Sequence, residues 1–406
     1  MDHATQNIVI VGGGQAAASA SAKLRALGHS GPLTIVSAEP VPPYQRPPLS
    51  KKYLMGEMTA ERLYLKPESF YAEQAITLRL GTRVEGIDRA AGRIETTAGA
   101  LPYDALILAT GCSPRRLPDS IGGALPAVHL MRDLADADAM APRFTKGARV
   151  LVIGGGYIGL EAAAVAASRG LQVTLVEMAP RILNRVASPE TARLMRDLHR
   201  GHGVEIREDT GLIRIMEGTA SPLAAELTDG ARLEIDFAIV GIGIVPEAGL
   251  AAAAGLTVNN GIVVDDRCRS SDPAILAAGD CAVFPYENAQ IRLESVQNAI
   301  DQAEHAAGTI MGADAPYRPV PWFWSDQYDA RLQIAGLNRG YDQVIERPGT
   351  RPGGASVWYL REGRFIAVDA LSEPRAYMQG KRWLENGISP DPAGLADPTQ
   401  DLRKLT

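Results

Sequence analysis

Two short runs of small residues have the spacing that binds phosphate. Gly12, Gly14 and Ala17 fit G-x-G-x-x-G/A, with Ala16 inside the run, and Gly154, Gly156 and Gly159 repeat the pattern around Tyr157 and Ile158. The first glycine permits a tight turn, the second lets the backbone approach a pyrophosphate, and the third small residue lets helix and strand pack closely. A pyrophosphate then sits on the free N–H groups of the helix N-terminus, where the macrodipole favours anions. An acid follows each run: Glu39 lies 22 residues beyond Ala17, and Glu177 takes the equivalent place after the second run. A carboxylate there can accept hydrogen bonds from ribose hydroxyls. One such run is weak evidence, because glycine turns are common in α/β proteins. Two runs, each followed by an acid, imply two dinucleotides, and the natural pair is FAD with a nicotinamide nucleotide.

Positioning these runs requires a strand before each and a helix after it. "IVIVGGGQAAASASAKLRALGHSGPLTIVSAEP" (Ile8–Pro40) and "LVIGGGYIGLEAAAVAASRGLQVTLVEMAP" (Leu151–Pro180) each open with consecutive aliphatic residues, the pattern of a strand buried on both faces. An alanine-rich helical stretch follows, ending near Gly28 or Gly170, and a second apolar strand closes each unit on its acid. Both units are βαβ. The fold class is therefore α/β, with two doubly wound Rossmann-like nucleotide-binding domains. Further short strands are expected at 105–109, 237–240, 261–264 and 275–278, and Ser188 with Pro189 reads as an N-cap followed by a first-turn proline. From Val320 the texture changes: Trp322 and Trp324 fall among prolines, and strand-like runs alternate with turns, predicting a smaller C-terminal α+β domain. The stretch "SPDPAGLADPTQDL" reads as a loosely held tail. The expected boundaries are 1–113 and 247–319 for a split FAD domain, 114–246 for the NAD domain and 320–406 for the C-terminal domain.

Composition narrows the function classes. The chain has 406 residues, too many for one compact core, with 46% hydrophobic and 22% charged residues, as in a soluble enzyme. A formal net charge of -6 argues against nucleic-acid binding, though it leaves room for a local basic patch. Residues 1–7 carry no apolar leader-like stretch, and the longest apolar segment, 150–167, is broken by glycines and Glu161, so no membrane partner is expected. The 3 cysteines, Cys112, Cys268 and Cys281, are too scattered for a disulfide framework or metal knuckle, and the expected location is cytoplasmic. His199 and His202 lack a third metal ligand and read as a solvated helix end; no metal is expected.

The order of motifs resembles the two-dinucleotide-binding flavoproteins: the first fingerprint, "LILATGCSP" (Leu106–Pro114), the second fingerprint, "VGIGIVP" (Val240–Pro246) and "ILAAGDCA" (Ile275–Ala282). That resemblance implies FAD contacts from Ala109, Thr110, Gly111, Gly279 and Asp280, and NAD contacts from Gly241, Gly243 and Arg185. Members that reduce disulfides or peroxide keep a cysteine against the flavin. Here that region reads "YQRPPLSKKYL" (Tyr44–Leu54) and has none. The "RPPLSK" run, together with "PWFWSDQY" (Pro321–Tyr328) and "ESVQNAIDQA" (Glu294–Ala303), resembles the oxygenase-coupled NADH-dependent ferredoxin reductases over essentially the whole chain. In that family the lysine of the run pairs with the glutamate of the NAD fingerprint beside flavin N5. The matching residues are Lys51 and Glu161, which would otherwise read as a solvated helix residue and a first-turn acid. Arg46, Val84, Arg132 and Val296 match FAD-contacting positions. Trp324 matches a position near the isoalloxazine, with a core tryptophan the nearly equal alternative.

The resemblance implies an enzyme in which NADH gives hydride to the flavin and electrons leave singly for a [2Fe–2S] ferredoxin serving a cytochrome P450 or ring-hydroxylating dioxygenase. Rubredoxin is an alternative acceptor, and an NADH-sensing interaction protein resembling apoptosis-inducing factor is the alternative from another class. An acidic acceptor would need a basic face on a net-negative enzyme, and Arg331, Arg339, Arg375, Lys381 and Arg382 are the late-chain candidates.

Overall fold

The computed structural model describes residues 3–405. It divides into two compact units, one built from the segment ending at Arg46 with Thr59–Ser113 and Ile244–Pro319, the other from Pro47–Met58, Pro114–Gly243 and the segment beginning at Val320.

The first unit is organised by a five-stranded parallel sheet in the order Ile76–Arg79, Leu33–Val36, Ile8–Val11, Ala105–Leu108 and Ile275–Ala277. Ile8–Val11 and Ala105–Leu108 are buried at every position, which is why both are continuous aliphatic runs without alternation. The helices Gln15–Ala26 and Val296–Ile310 share one apolar core with this sheet, where Leu24 and Ala17 meet Ile8, Ile10, Ile35, Ala303 and Ala306. Alanine is the commonest residue of both helices, and its small side chain allows close approach of backbone to backbone. A separate three-stranded antiparallel sheet holds Val84–Asp88, Arg93–Thr96 and Leu101–Pro102.

The second unit contains a second parallel five-stranded sheet, ordered Glu205–Arg207, Gln172–Val176, Arg149–Ile153, Phe237–Val240 and Val128–His129. Its helix Tyr157–Ser168 is buried without a break from Gly159 to Ala166, and accordingly it carries almost no polar face. The next helix, Pro189–Gly201, starts where the sequence predicts, with the Ser188 hydroxyl accepting the Thr191 N–H at 3.3 Å. The same unit includes an antiparallel five-stranded sheet, ordered Trp322–Gln327, Ala330–Gly336, Arg364–Leu371, Ala355–Arg361 and Gln343–Pro348. The helix Pro374–Asn386 lays Ala376, Tyr377 and Trp383 against Trp358 and Val368 of that sheet.

The chain after Ser389 departs from expectation. It is fixed: Arg347, 7% exposed, donates to the carbonyls of Gly394, Leu395, Asp397, Pro398 and Gln400, while Leu395 and Leu405 enter the core of the antiparallel sheet. Its proline-rich composition concealed this because the anchor is a side chain some fifty positions away. Among the described residues, no helix is long and apolar enough to cross a membrane.

Candidate functional site

Each parallel sheet presents one helix N-terminus with the features an anion requires. In the first unit, Gly14 caps Gln15–Ala26 with no side-chain hydrogen bond and no acid in the first turn, and a Cβ at Gly14 would meet open space. The N–H groups there are left for a ligand. Gly12 has the opposite constraint: at φ +130° its missing Cβ would lie 2.2 Å from the Ala109 carbonyl oxygen, so only glycine lets the turn touch the neighbouring strand end. Ala16 packs under the Gly279 turn, whose absent Cβ would sit 3.4 Å from Ala16 and 3.5 Å from Ala299 on the helix begun by Val296. The Gly279 N–H donates to buried Gln302 at 2.9 Å. Asp280 follows, receiving the Cys112 thiol at 3.4 Å. Thr110 donates to the Glu247 carbonyl at 2.6 Å, and the Gly111 carbonyl accepts the Glu247 N–H at 2.9 Å. Thus the structure gathers Gly12, Ala16, Ala109, Gly279 and the Val296 helix at one end of the sheet.

Glu39 is held rather than free. The Tyr44 hydroxyl donates to it at 2.5 Å, the Arg46 guanidinium pairs with it, and Arg46 also lies 5.0 Å from the centre of the Tyr44 ring. Arg46 therefore aims the acid and offsets its charge. Val84 stands apart, paired with Thr96 in the separate antiparallel sheet.

The second unit repeats the receptor. Gly156 caps Tyr157–Ser168 with no side-chain bond, no first-turn acid and open space at its Cβ position. Gly154 approaches the Gly241 carbonyl, and Gly159 approaches the Gly154 carbonyl, so closely that added Cβ atoms would lie at 2.3 Å and 2.1 Å. Gly243, at φ +101°, accepts the Arg115 N–H at 2.9 Å. Glu177 takes the Gly155 N–H at 2.7 Å and the Ala179 N–H at 2.8 Å, which fixes its carboxylate beside the glycine turn. Ile158 remains 43% exposed, whereas Tyr157 buries its hydroxyl without a partner and packs on the Phe323 ring at 4.7 Å. Burial pushes the Tyr157 phenol pKa up, and the nearby Arg185 charge opposes that shift.

Lys51 and Glu161 form the central ion pair of the second unit. Lys51 leaves helical geometry within the turn Leu49–Tyr53, at φ -132° and ψ -110°, and its Nζ reaches Glu161 Oε2 at 2.6 Å and the Pro47 carbonyl at 3.3 Å. The Lys51 side chain is only 17% exposed. Ser50 donates to Glu161 Oε2 at 3.1 Å and Ser325 to Oε1 at 2.7 Å. One carboxylate thus accepts from an ammonium and two hydroxyls. Arg132 precedes the capping box of Asp133 and Asp136, its N–H donating to Asp136 at 2.8 Å. Trp324 lies half-buried on Trp322–Gln327, 5.5 Å from the Trp322 ring.

One reading of the histidines changes. His199 is not a solvated helix end: it is 0% exposed and bonded to Gln327 at 2.6 Å, with burial driving its pKa down to about 4. His202 is exposed and stacks on Tyr328 at 3.7 Å. Among the late cations, Arg331 pairs with Asp326 at 3.4 Å, and Lys381 pairs with Glu385 at 3.8 Å while lying over Trp322; Arg339, Arg375 and Arg382 are exposed. All 3 cysteines are buried, and burial raises the pKa of Cys268 and Cys281. Reading by motif missed Ser50, Ser325, Gln327 and Gln302. A signal existed for two of them: Phe323, Ser325 and Gln327 alternate on one strand face, and polar residues in that rhythm amid aromatics mark a buried network.

Comparison with known proteins gives a family and full-length relatives. The sequence profile of the pyridine nucleotide-disulphide oxidoreductases matches residues 6–303, and that of the reductase C-terminal domain matches 322–406. The 5,5'-dehydrodivanillate O-demethylase ferredoxin reductase subunit of Sphingobium sp. is 43% identical over 98% of this chain and 98% of its own. A rubredoxin-NAD(+) reductase of Pseudomonas putida is 38% identical over 91% of this chain and 96% of its own. The reductase in the covalent putidaredoxin reductase–putidaredoxin complex superposes with a TM-score of 0.94 at 41% identity, covering 99% of this chain and 98% of that one.

Proposed function

Because the chain belongs to the pyridine nucleotide-disulphide oxidoreductase family, we propose that it is an FAD-dependent reductase that takes hydride from NADH and delivers single electrons to a [2Fe–2S] ferredoxin. The ferredoxin in turn serves a cytochrome P450 or a ring-hydroxylating oxygenase. The observation that carries this reading is the end-to-end similarity to a ferredoxin reductase subunit in a chain whose Tyr44–Leu54 region has no cysteine. We assign FAD to residues 1–113 and 247–319, NADH to 114–246, and acceptor docking to 320–406.

FAD, when bound, would supply what no side chain can, the conversion of a hydride's electron pair into electrons released one at a time. The chain's own residues bind and orient. The Gly14 N-terminus receives the FAD pyrophosphate, and Glu39, aimed by Arg46 and Tyr44, receives the ribose hydroxyls. Ala17, Thr110, Gly111, Asp280, Val84, Arg132, Val296 and Trp324 complete the FAD set. The Gly156 N-terminus receives the nicotinamide dinucleotide, with Glu177 selecting against a 2′-phosphate and Ile158, Gly241, Gly243 and Arg185 lining its path. Lys51 would favour the electron-rich reduced form of the flavin by its positive charge, and Glu161 keeps Lys51 in place without moving a proton. The cytoplasm is the assigned compartment, in keeping with three buried, scattered thiols.

Stopped-flow reduction by NADH, followed by mixing with purified [2Fe–2S] ferredoxins and rubredoxins, tests the proposal. Rapid reoxidation by a ferredoxin is expected. Preference for rubredoxin overturns the acceptor, and a long-lived reduced complex with neither favours the NADH-sensing alternative.

A further inference from the structure

The Lys51–Glu161 pair continues into a chain of buried side chains that ends at the protein surface. Ser325 Oγ meets Glu161 Oε1 at 2.7 Å, Gln327 Nε2 meets Ser325 Oγ at 3.0 Å, His199 Nε2 meets Gln327 Oε1 at 2.6 Å, and the Tyr328 hydroxyl meets His199 Nδ1 at 3.1 Å. Glu161, Ser325, Gln327 and His199 are 8%, 1%, 2% and 0% exposed, so each bond lies away from competing water. Beyond them His202 stacks face to face on Tyr328, 9° from parallel, and is exposed.

Proton counting gives this chain one direction. The Glu161 carboxylate, paired with the Lys51 ammonium, can only accept. Ser325 has one hydroxyl proton and must give it to Glu161, so it can only accept from Gln327. That turns the Gln327 amide group toward Ser325 and its carbonyl toward His199. The carbonyl only accepts, so His199 must carry its proton on Nε2, leaving Nδ1 to accept from Tyr328. Burial keeps His199 neutral, as this arrangement needs. Every donor points at Glu161. The surface end is built at a cost: Tyr328 occupies a left-handed position, φ +55°, in the two-residue turn between Gln327 and Ala330, a place that favours asparagine or glycine.

We propose that His199 is a positioning residue for the Lys51–Glu161 pair, acting through Gln327 and Ser325 to lock Ser325 as a donor to the glutamate and so to set how much negative charge Glu161 presents beside the flavin. The proposal rests on the reading of Lys51 and Glu161 as the flavin pair. Each donor draws charge from the carboxylate. Removing one leaves Glu161 more negative, and the reduced flavin is then harder to form.

The test has two arms on the holoenzyme. Histidine-selective 15N labelling reports the His199 tautomer, assigned by the signal lost in His199→Phe. The wild type should show a single Nε2–H form at neutral pH, and Ser325→Ala should convert it to a mixture while Ser325→Thr restores it. A tautomer untouched by Ser325→Ala, or a wild-type Nδ1–H form, overturns the relay. In the second arm the midpoint potential of bound FAD should fall in Ser325→Ala and His199→Phe, with the same sign as in Lys51→Ala and by less. In a Glu161→Gln background, His199→Phe should add no further shift. If Lys51→Ala and Glu161→Gln move the potential but the relay variants do not, His199 is structural only. If Lys51→Ala and Glu161→Gln leave the potential unchanged, the flavin-pair reading fails, and the tautomer arm still judges the relay by itself.

Discussion

Asp369 gives a stability prediction with a calculable size. It is 2% exposed on Arg364–Leu371, and its Oδ2 accepts from the Tyr359 hydroxyl at 2.6 Å and the Thr191 hydroxyl at 2.7 Å. Burial pushes its pKa from 3.8 up to about 6, against the pull of those two hydroxyls. A folded-state pKa above the unfolded one means that the native state binds the proton more tightly. The resulting stability is therefore fully present below about pH 4, is lost as pH rises through about 6, and is flat above. At roughly 1.4 kcal/mol per unit, the whole effect is about 3 kcal/mol, and about half of it falls between pH 5 and pH 8. Asp369→Asn keeps a carbonyl acceptor for both hydroxyls but cannot ionise. Urea unfolding of wild type and variant across that range should show the variant gaining about 1.5 kcal/mol relative to wild type, with no further change above neutrality. A gap that does not vary with pH, or one that widens in favour of the wild type, would refute the account of Asp369 as a carboxylate strained by burial.

Other expectations concern the nucleotide and acceptor. Glu177→Ala should narrow a preference for NADH over NADPH on the order of tenfold in kcat/KM, because a fixed carboxylate repels a 2′-phosphate; equal use of both nucleotides by the wild type would remove Glu177 from that role. Alkylating the cysteines under conditions that retain FAD should leave flavin reduction by NADH intact, and a large loss would point to a thiol step. Gly159→Ala should weaken NADH binding while FAD stays bound, since its Cβ would lie 2.1 Å from the Gly154 carbonyl; an unchanged KM contradicts the close packing. Ferredoxin reduction should slow as salt rises, screening attraction beyond about 8 Å near physiological ionic strength, while ferricyanide turnover should respond far less. Indifference of ferredoxin reduction to salt and to charge reversal at Arg375 places docking on another face.

The central strands of both parallel sheets and both receptor helices were legible because their information is local, whereas the edge strands Ile76–Arg79, Val128–His129 and Glu205–Arg207 were not. A buried aliphatic run, a glycine turn and an alanine helix occupy consecutive positions, and Gly12 or Gly154 can be read within its own loop. Ser188 with Pro189 was legible for the same reason. Lys51 with Glu161 needed the family resemblance, because 110 positions separate them and neither residue type alone implies the other. The relay beyond Glu161 was invisible: Ser325 and Gln327 share a strand, but His199 lies on a helix 128 positions before Gln327. A histidine near a helix end reads as solvated until the sheet covering it is known. The same blindness to distant anchors made the chain after Ser389 look loose.

That last segment has its own consequence. Arg347 donates to five of its main-chain carbonyls, from Gly394 to Gln400, and the Asp397 and Asp401 charges act on the guanidinium as well. The hydrogen bonds of such a clasp follow the path of the chain. The guanidinium cannot be exchanged for lysine, whose single ammonium cannot span five carbonyls, while among the gripped positions Leu395 is held by its place in the core and Gly394 by Leu405, 2.5 Å from where an added Cβ would lie. Constancy is expected in the residue that does the grasping, and variability only where a grasped residue keeps its side chain out of the core.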